Sequence, residues 1–246
     1  MWQVQRHDAV AVLSYRREPE NVLGFADLAE LDQRLIEVGE DAAVRVIVLT
    51  GGLPGYFVAH ADLADVDSLV FGTDPGPFGP DAWTNTLQRI ADVPQPVVAA
   101  VNGQAWGGGF ELALACLMRV ASESAHLRFV EVEHGAIPGA GGTQRLPRLV
   151  GPATAARLVL GGELVTAQVA LRLGIVDAVF PDDDFLAQVL AWVAPLARAP
   201  GHSLAAAKRA LVDGAALALS DGLALEQRLF REVLQSPQTR AMHGHG

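Results

Sequence analysis

The stretch from Pro96 to Glu111, Pro-Val-Val-Ala-Ala-Val-Asn-Gly-Gln-Ala-Trp-Gly-Gly-Gly-Phe-Glu, gathers the residues with the most chemical potential in the chain. An apolar strand over Pro96–Val101 runs into a turn at Asn102-Gly103. Gly107, Gly108 and Gly109 then open a helix read over Phe110–Cys116. Glycines ahead of a helix N-terminus leave main-chain N–H groups unpaired at the positive end of the helix dipole. Such donors suit an oxygen that gains negative charge during a reaction. The missing Gly-Lys-Ser/Thr argues against a P-loop, and the glycine spacing misses the dinucleotide fingerprint. Glu111 follows in the first helical turn, where a carboxylate either complements the dipole or does acid–base work.

A second glycine-dense loop, Ile137-Pro138-Gly139-Ala140-Gly141-Gly142-Thr143-Gln144-Arg145-Leu146, leads into another helix-like stretch. Just upstream, Phe129-Val130-Glu131-Val132-Glu133-His134 sets carboxylates beside apolar residues, and spacing alone does not choose between Glu131 and Glu133. The third element is Tyr56-Phe57-Val58-Ala59-His60-Ala61-Asp62-Leu63.

In this order and spacing the three segments resemble the crotonase family, also called the enoyl-CoA hydratase/isomerase family. Ala59-His60-Ala61-Asp62-Leu63 is similar to its Ala-Gly-Ala-Asp-Ile loop. Asn102 through Glu111 is similar to its Asn-Gly-x-x-x-Gly-Gly-Gly-x-Glu segment. Pro138–Leu146 follows its Pro-Gly-x-Gly-Gly-Thr-Gln-Arg-Leu run almost letter for letter. The resemblance covers roughly residues 10–235. It implies an α/β fold, a spiral of ββα units followed by a helical trimerisation region. It implies an oxyanion hole from the Ala59 and Gly108 amides, catalytic Glu111 and Glu131, and substrate contacts from Ala59, His60, Ala61, Asp62 and Gly108. Counting back from Ile137-Pro138-Gly139 is what selects Glu131 over Glu133. The reaction implied is addition of water across an α,β-unsaturated acyl-CoA. Isomerisation or thioester hydrolysis on the same scaffold is the runner-up, and a coenzyme A-binding subunit without efficient catalysis is the rival of another class. Coenzyme A enters as part of the substrate, with no permanently bound cofactor, and the expected assembly is a homotrimer or a hexamer of paired trimers.

Several residues depart from the family pattern. His60 stands in place of glycine, Val130 in place of the proline common before the second glutamate, and Leu117 in place of an aspartate. Glu20 occupies a place often basic in the family, leaving Arg16 or Arg17 to reach a phosphate. The tail stops after Ser236–Met242 and His243-Gly244-His245-Gly246, a run read as a disordered end and not as a metal site.

The surrounding elements must position these groups. Ala9–Tyr15, Val44–Thr50 and Pro96–Val101 read as strands, and Phe25–Asp41 reads as a helix with Leu28, Leu31, Leu35 and Val38 at helical spacing. That rhythm gives an α/β layer with parallel crossovers. The breakers within Asp67–Pro80 read as an exposed loop. Leu186, Val189, Leu190, Val193 and Leu196 form a helical stripe, further helices follow Pro200 and Gly222, and no strand is expected beyond Ile175–Phe180. We expect a core over residues 1–195 and a helical region over 196–246. The 246 residues carry a formal net charge of −10 without a lysine or arginine block, which excludes nucleic acid and an anionic membrane surface as partners. No apolar run is long enough to span a bilayer and the N-terminus lacks a signal-peptide layout. One cysteine, Cys116, excludes an internal disulfide and fits a cytoplasmic protein.

Overall fold

The computed structural model describes residues 1–244 and places the chain in two sheets wrapped by helices. The elements of the first half are β1 (Trp2–His7), β2 (Val10–Tyr15), α1 (Phe25–Gly39), β3 (Val46–Gly51), β4 (Gly55–Val58), α2 (Leu63–Phe71), α3 (Asp81–Asp92), β5 (Val97–Val101), β6 (Gly103–Trp106) and α4 (Gly108–Ala115). Then come β7 (Met118–Ser122), β8 (His126–Arg128), a 3-10 turn at Val132–His134, α5 (Gly142–Val150), α6 (Pro152–Gly161), β9 (Val165–Thr166), α7 (Ala167–Arg172) and β10 (Ala178–Phe180). The chain closes with α8 (Phe185–Ala197), α9 (Gly201–Gly214), α10 (Leu219–Gln235) and α11 (Pro237–Met242).

The larger sheet has the order β1-β2-β3-β5-β7-β10, parallel except for the β1–β2 pair. The smaller runs β4-β6-β8-β9, and its first three strands are parallel. Strands β3, β5 and β7 of the large sheet each feed a short partner in the small sheet, β4, β6 and β8, before helices return the chain. This is the ββα spiral.

The near-continuous apolar strands follow from burial on both faces. Ala11, Leu13, Ile47, Leu49, Val97, Ala99 and Val101 face a core shared with Leu28, Leu31 and Leu35 of α1. Their neighbours Val10, Val12, Val46, Val48, Val98 and Val120 face Phe185, Val189 and Val193 of α8. Residues alternate between the faces because the strand period is two. Each fully buried Leu or Val stabilises the fold by about 1.5–3 kcal/mol.

Four local readings are corrected. The loop expected over Asp67–Pro80 begins only after Phe71, because α2 continues to a left-handed end at Gly72, φ 63°. Asn102-Gly103 is no free turn: Gly103 opens β6, and the Asn102 side chain staples the β3–β4 connection. Its Oδ1 accepts from Gly51 N (2.9 Å) and its Nδ2 donates to Gly51 O (3.1 Å) and Leu53 O (3.3 Å). The glycine helix starts at Gly108, two residues before the expected Phe110. The small sheet and β1 are additional to the expected strands.

Beyond α8, α9 and α10 pack on one another. Buried Lys208 on α9 ties them to the body, its Nζ donating to Ile90 O (3.2 Å), Val93 O (2.6 Å) and Gln95 O (3.1 Å). Three carbonyls around one ammonium match its three donors, while burial pushes its pKa down to about 8. The histidine and glycine at 245–246, the end of the expected disordered tail, lie outside the described residues. Among the described residues no helix is long and apolar enough to cross a membrane, and no cluster of potential metal ligands forms.

Candidate active site

The site lies where the small sheet meets the N-terminus of α4. Strand β4 ends at Val58, and the chain continues through Ala59–Asp62 beside Asn21–Leu23. Leu23 N donates to His60 O, and Asp62 N donates to Leu23 O, both at 2.9 Å. The α4 glycines pack directly on this strand end. A Cβ on Gly109 would stand 2.0 Å from Val58 O, and one on Gly108 would stand 2.4 Å from the Trp83 ring. Only glycine permits this approach, which brings the α4 amides against the β4 exit.

The two amides expected as oxyanion donors differ in state. Gly108 N has no acceptor among the described residues. Ala59 is fully buried; its N–H donates to Asn21 O (3.2 Å) and its carbonyl accepts from Trp106 N (3.1 Å). Both of its main-chain groups are consumed, so the expectation for Ala59 is corrected. Two residues on, Ala61 is partly exposed, and its N–H has no acceptor among the described residues. The bridge to Leu23 uses the flanking amide and carbonyl, which turns the Ala61 N–H away from that strand.

Glu111 sits in the first turn of α4, 3 % exposed. Its Oε1 accepts from Ala140 N (2.8 Å) and Gly142 N (2.7 Å), amides of the second glycine loop, and its Oε2 has no hydrogen-bond partner among the described residues. Burial raises its pKa to about 7, against the pull of the Gly142 and Ala140 amides, and the neighbouring Glu131 charge adds to the rise. Both protonation states are therefore populated near neutrality, as acid–base catalysis requires.

Glu131 precedes the 3-10 turn. Its Oε2 accepts from Val130 N (2.9 Å), and its Oε1 lies 3.0 Å from where a Cβ on Gly107 would be. Burial raises its pKa. The alternative carboxylate, Glu133, is exposed and pairs with Arg128. The fold thus brings Glu111, Glu131 and the Gly107–Gly108 turn together and sends Glu133 away.

The remaining expected contacts are otherwise engaged. His60 turns its Nδ1 back to Ala61 O (2.8 Å). Asp62 caps α2, Oδ1 accepting from Ala64 N (3.0 Å), and its Oδ2 pairs with Arg17 Nη2 (2.7 Å). Arg17 also pairs with Asp27 (3.0 Å), and exposed Arg16 pairs with Glu18 (2.6 Å). Asp62 and Arg17 therefore shape the loop. Leu117 lies past the C-terminal end of α4, the opposite end from Glu111, its N donating to Val97 O (2.9 Å). Trp83 and the Asn21 carbonyl escaped sequence reasoning because neither lies in a motif whose spacing carries chemistry, and Val130 stands out in the sequence for its side chain, not its amide.

The family model described as enoyl-CoA hydratase/isomerase matches residues 5–245. A 2,3-dehydroadipyl-CoA hydratase of Escherichia coli is 39% identical over 228 residues, spanning 92% of this chain and 88% of the relative. A crotonyl-CoA hydratase of Syntrophomonas wolfei is 37% identical over 187 residues, spanning 76% of this chain and 71% of the relative. The crystal structure of an enoyl-CoA hydratase from Bacillus anthracis superposes with a TM-score of 0.91 at 33% identity, covering 98% of this chain and 94% of that one.

Proposed function

The chain belongs to the enoyl-CoA hydratase/isomerase family, and we propose that it adds water across the double bond of a 2-enoyl-CoA thioester. The observation that carries this reading is the pair Glu111 and Glu131 at the glycine-lined start of α4, one with a pKa near neutrality. A water placed between them loses a proton to one carboxylate as its oxygen bonds to Cβ. The displaced π electrons move through Cα to the thioester oxygen, where the Ala61 and Gly108 amides stabilise the enolate. The other glutamate, in its acid form, then delivers a proton to Cα. Loss of one such amide typically costs about 3 kcal/mol in the transition state.

Acyl-CoA is the substrate, and no resident cofactor takes part in this scheme. Paired acids favour hydration over isomerisation or thioester hydrolysis on the same scaffold. The decisive experiment follows loss of the conjugated thioester absorbance of crotonyl-CoA, with 3-enoyl-CoA isomerisation and thiol release from acyl-CoA run in parallel. Turnover in the first assay is expected; coenzyme A binding without turnover in any of them would support the scaffold reading instead.

One observation favours a particular acyl chain. A cavity of about 390 Å³ borders Ala140 and Gly141, the loop that holds Glu111, and is lined by Arg145, Arg148, Gln88 and Gln144. Neither arginine pairs with a carboxylate among the described residues; Arg145 donates to Ala140 O and Arg148 to Gln144 O. A distal carboxylate on the acyl group suits such a cavity, as in the substrate named for the Escherichia coli relative. A higher kcat/KM for 2,3-dehydroadipyl-CoA than for crotonyl-CoA, lost in Arg148→Ala, supports this; equal values oppose it.

The same reading divides the chain into a core over 1–195 and a helical region over 196–246, and makes the protein a cytoplasmic homotrimer or paired trimer. Exposed Leu219, Leu223, Phe230 and Leu234 along α10 support assembly, since a monomer leaves that row in water. Light scattering of the purified protein tests it.

A further inference from the structure

The two glutamates are held in different ways. Glu111 is anchored from another loop, through the Ala140 and Gly142 amides on Oε1. Glu131 is anchored by its own chain: the carboxylate curls back so that Oε2 accepts from the N–H of the preceding residue, Val130 (2.9 Å). The segment beneath it cannot readily turn. Glu131 O accepts from His134 N (3.0 Å) and Ala136 N (2.9 Å), and Val130 O lies 2.8 Å from His134 Nδ1. With Oε2 fixed, the geometry puts Oε1 toward Gly107.

We propose that the Val130 main-chain N–H is a positioning group for Glu131, holding Oε2 so that Oε1 is the oxygen that exchanges a proton with substrate. The proposal rests on the reading of Glu131 as an acid–base group and deepens it. A residue at position 130 contributes here through its amide and not through its side chain; proline, which has no N–H, cannot make the contact. Burial raises the pKa of this group, and the N–H groups of Glu131 itself and of Val130 oppose that rise by favouring the carboxylate. The charged or titratable groups around it are Glu111 on α4 and His134 of the 3-10 turn. By the same logic Glu111 Oε2, the oxygen without an amide, is the working atom of the other glutamate.

The test replaces Val130 by its α-hydroxy acid analogue, turning one amide into an ester and removing the N–H while keeping the side chain. Val130→Ala, which keeps the N–H, and Val130→Pro, which removes it, accompany the ester. Two readouts are taken: titration of the Glu131 carboxyl by ¹³C NMR, assigned with Glu131→Gln, and crotonyl-CoA hydration across pH. The ester is expected to move the Glu131 titration upward and to lower kcat at least about tenfold, as for loss of a hydrogen bond to a charged group. KM should stay nearly constant, Val130→Ala should behave as the parent, and Val130→Pro should follow the ester. An ester variant with unchanged titration and kcat overturns the proposal, as does a Val130→Ala variant as impaired as the ester. A moved titration with Glu131→Gln fully active would leave the contact real but overturn its catalytic role. The NMR readout needs no turnover, so failure of the hydratase reading itself is told apart from failure of the anchor.

Discussion

Replacing Glu111 by glutamine should abolish most activity and, at the same time, stabilise the protein in a pH-dependent way. Glutamine keeps the shape and an oxygen for the Ala140 and Gly142 amides, but it carries no titrating proton. In the native protein burial lifts the Glu111 pKa from 4.5 to about 7. Between those values the folded state retains the proton that the unfolded chain has released, so stability falls as pH rises through this window. Below 4.5 both states are protonated and the penalty is absent; above about 7 it is complete. At about 1.4 kcal/mol per pH unit the full penalty is about 3 kcal/mol. The variant escapes it. Urea unfolding of both proteins, at one protein concentration and from about pH 5 to about pH 8, should therefore show the variant's advantage growing by up to about 3 kcal/mol. Crotonyl-CoA hydration should fall about 10²–10⁴-fold. A stability difference that stays flat with pH would refute the claim that Glu111 is a desolvated acid, whatever the rate.

Further outcomes follow from the same geometry. Gly108→Ala places a methyl group within 2.4 Å of the Trp83 ring; displacement of the hole amide should lower kcat by about 10²–10³, and adding Trp83→Ala should restore part of the loss. Gly109→Ala meets the Val58 carbonyl at 2.0 Å, main chain that cannot step aside, so this variant should yield little folded protein by circular dichroism. Lys208→Met leaves the Ile90, Val93 and Gln95 carbonyls without their donor; about 1–3 kcal/mol of stability should be lost in urea titration, with KM for crotonyl-CoA little changed.

Much of the fold could be read in advance because apolar β-branched runs buried on both faces announce parallel strands. The glycines before Glu111 were legible for a physical reason: the close approach of α4 to Val58 and Trp83 needs residues without side chains. The small sheet escaped notice because its strands span two to four residues, too short for any period to register. Which amide is left without an acceptor was also illegible. Ala59 and Ala61 are the same residue type in one motif, and only the Asn21 carbonyl, brought in from an earlier turn, consumes the first and spares the second. Glu133 likewise has a partner that its spacing does not announce, Arg128.

The most direct measurement is a crystal structure with a non-reactive 2-enoyl-CoA analogue. The thioester oxygen is expected at about 3 Å from both Ala61 N and Gly108 N, with Glu131 Oε1 and Glu111 Oε2 facing Cα and Cβ. An oxygen bound to the Ala59 amide, or one distant from Gly108 with the glutamates turned away from the acyl carbons, would contradict the account.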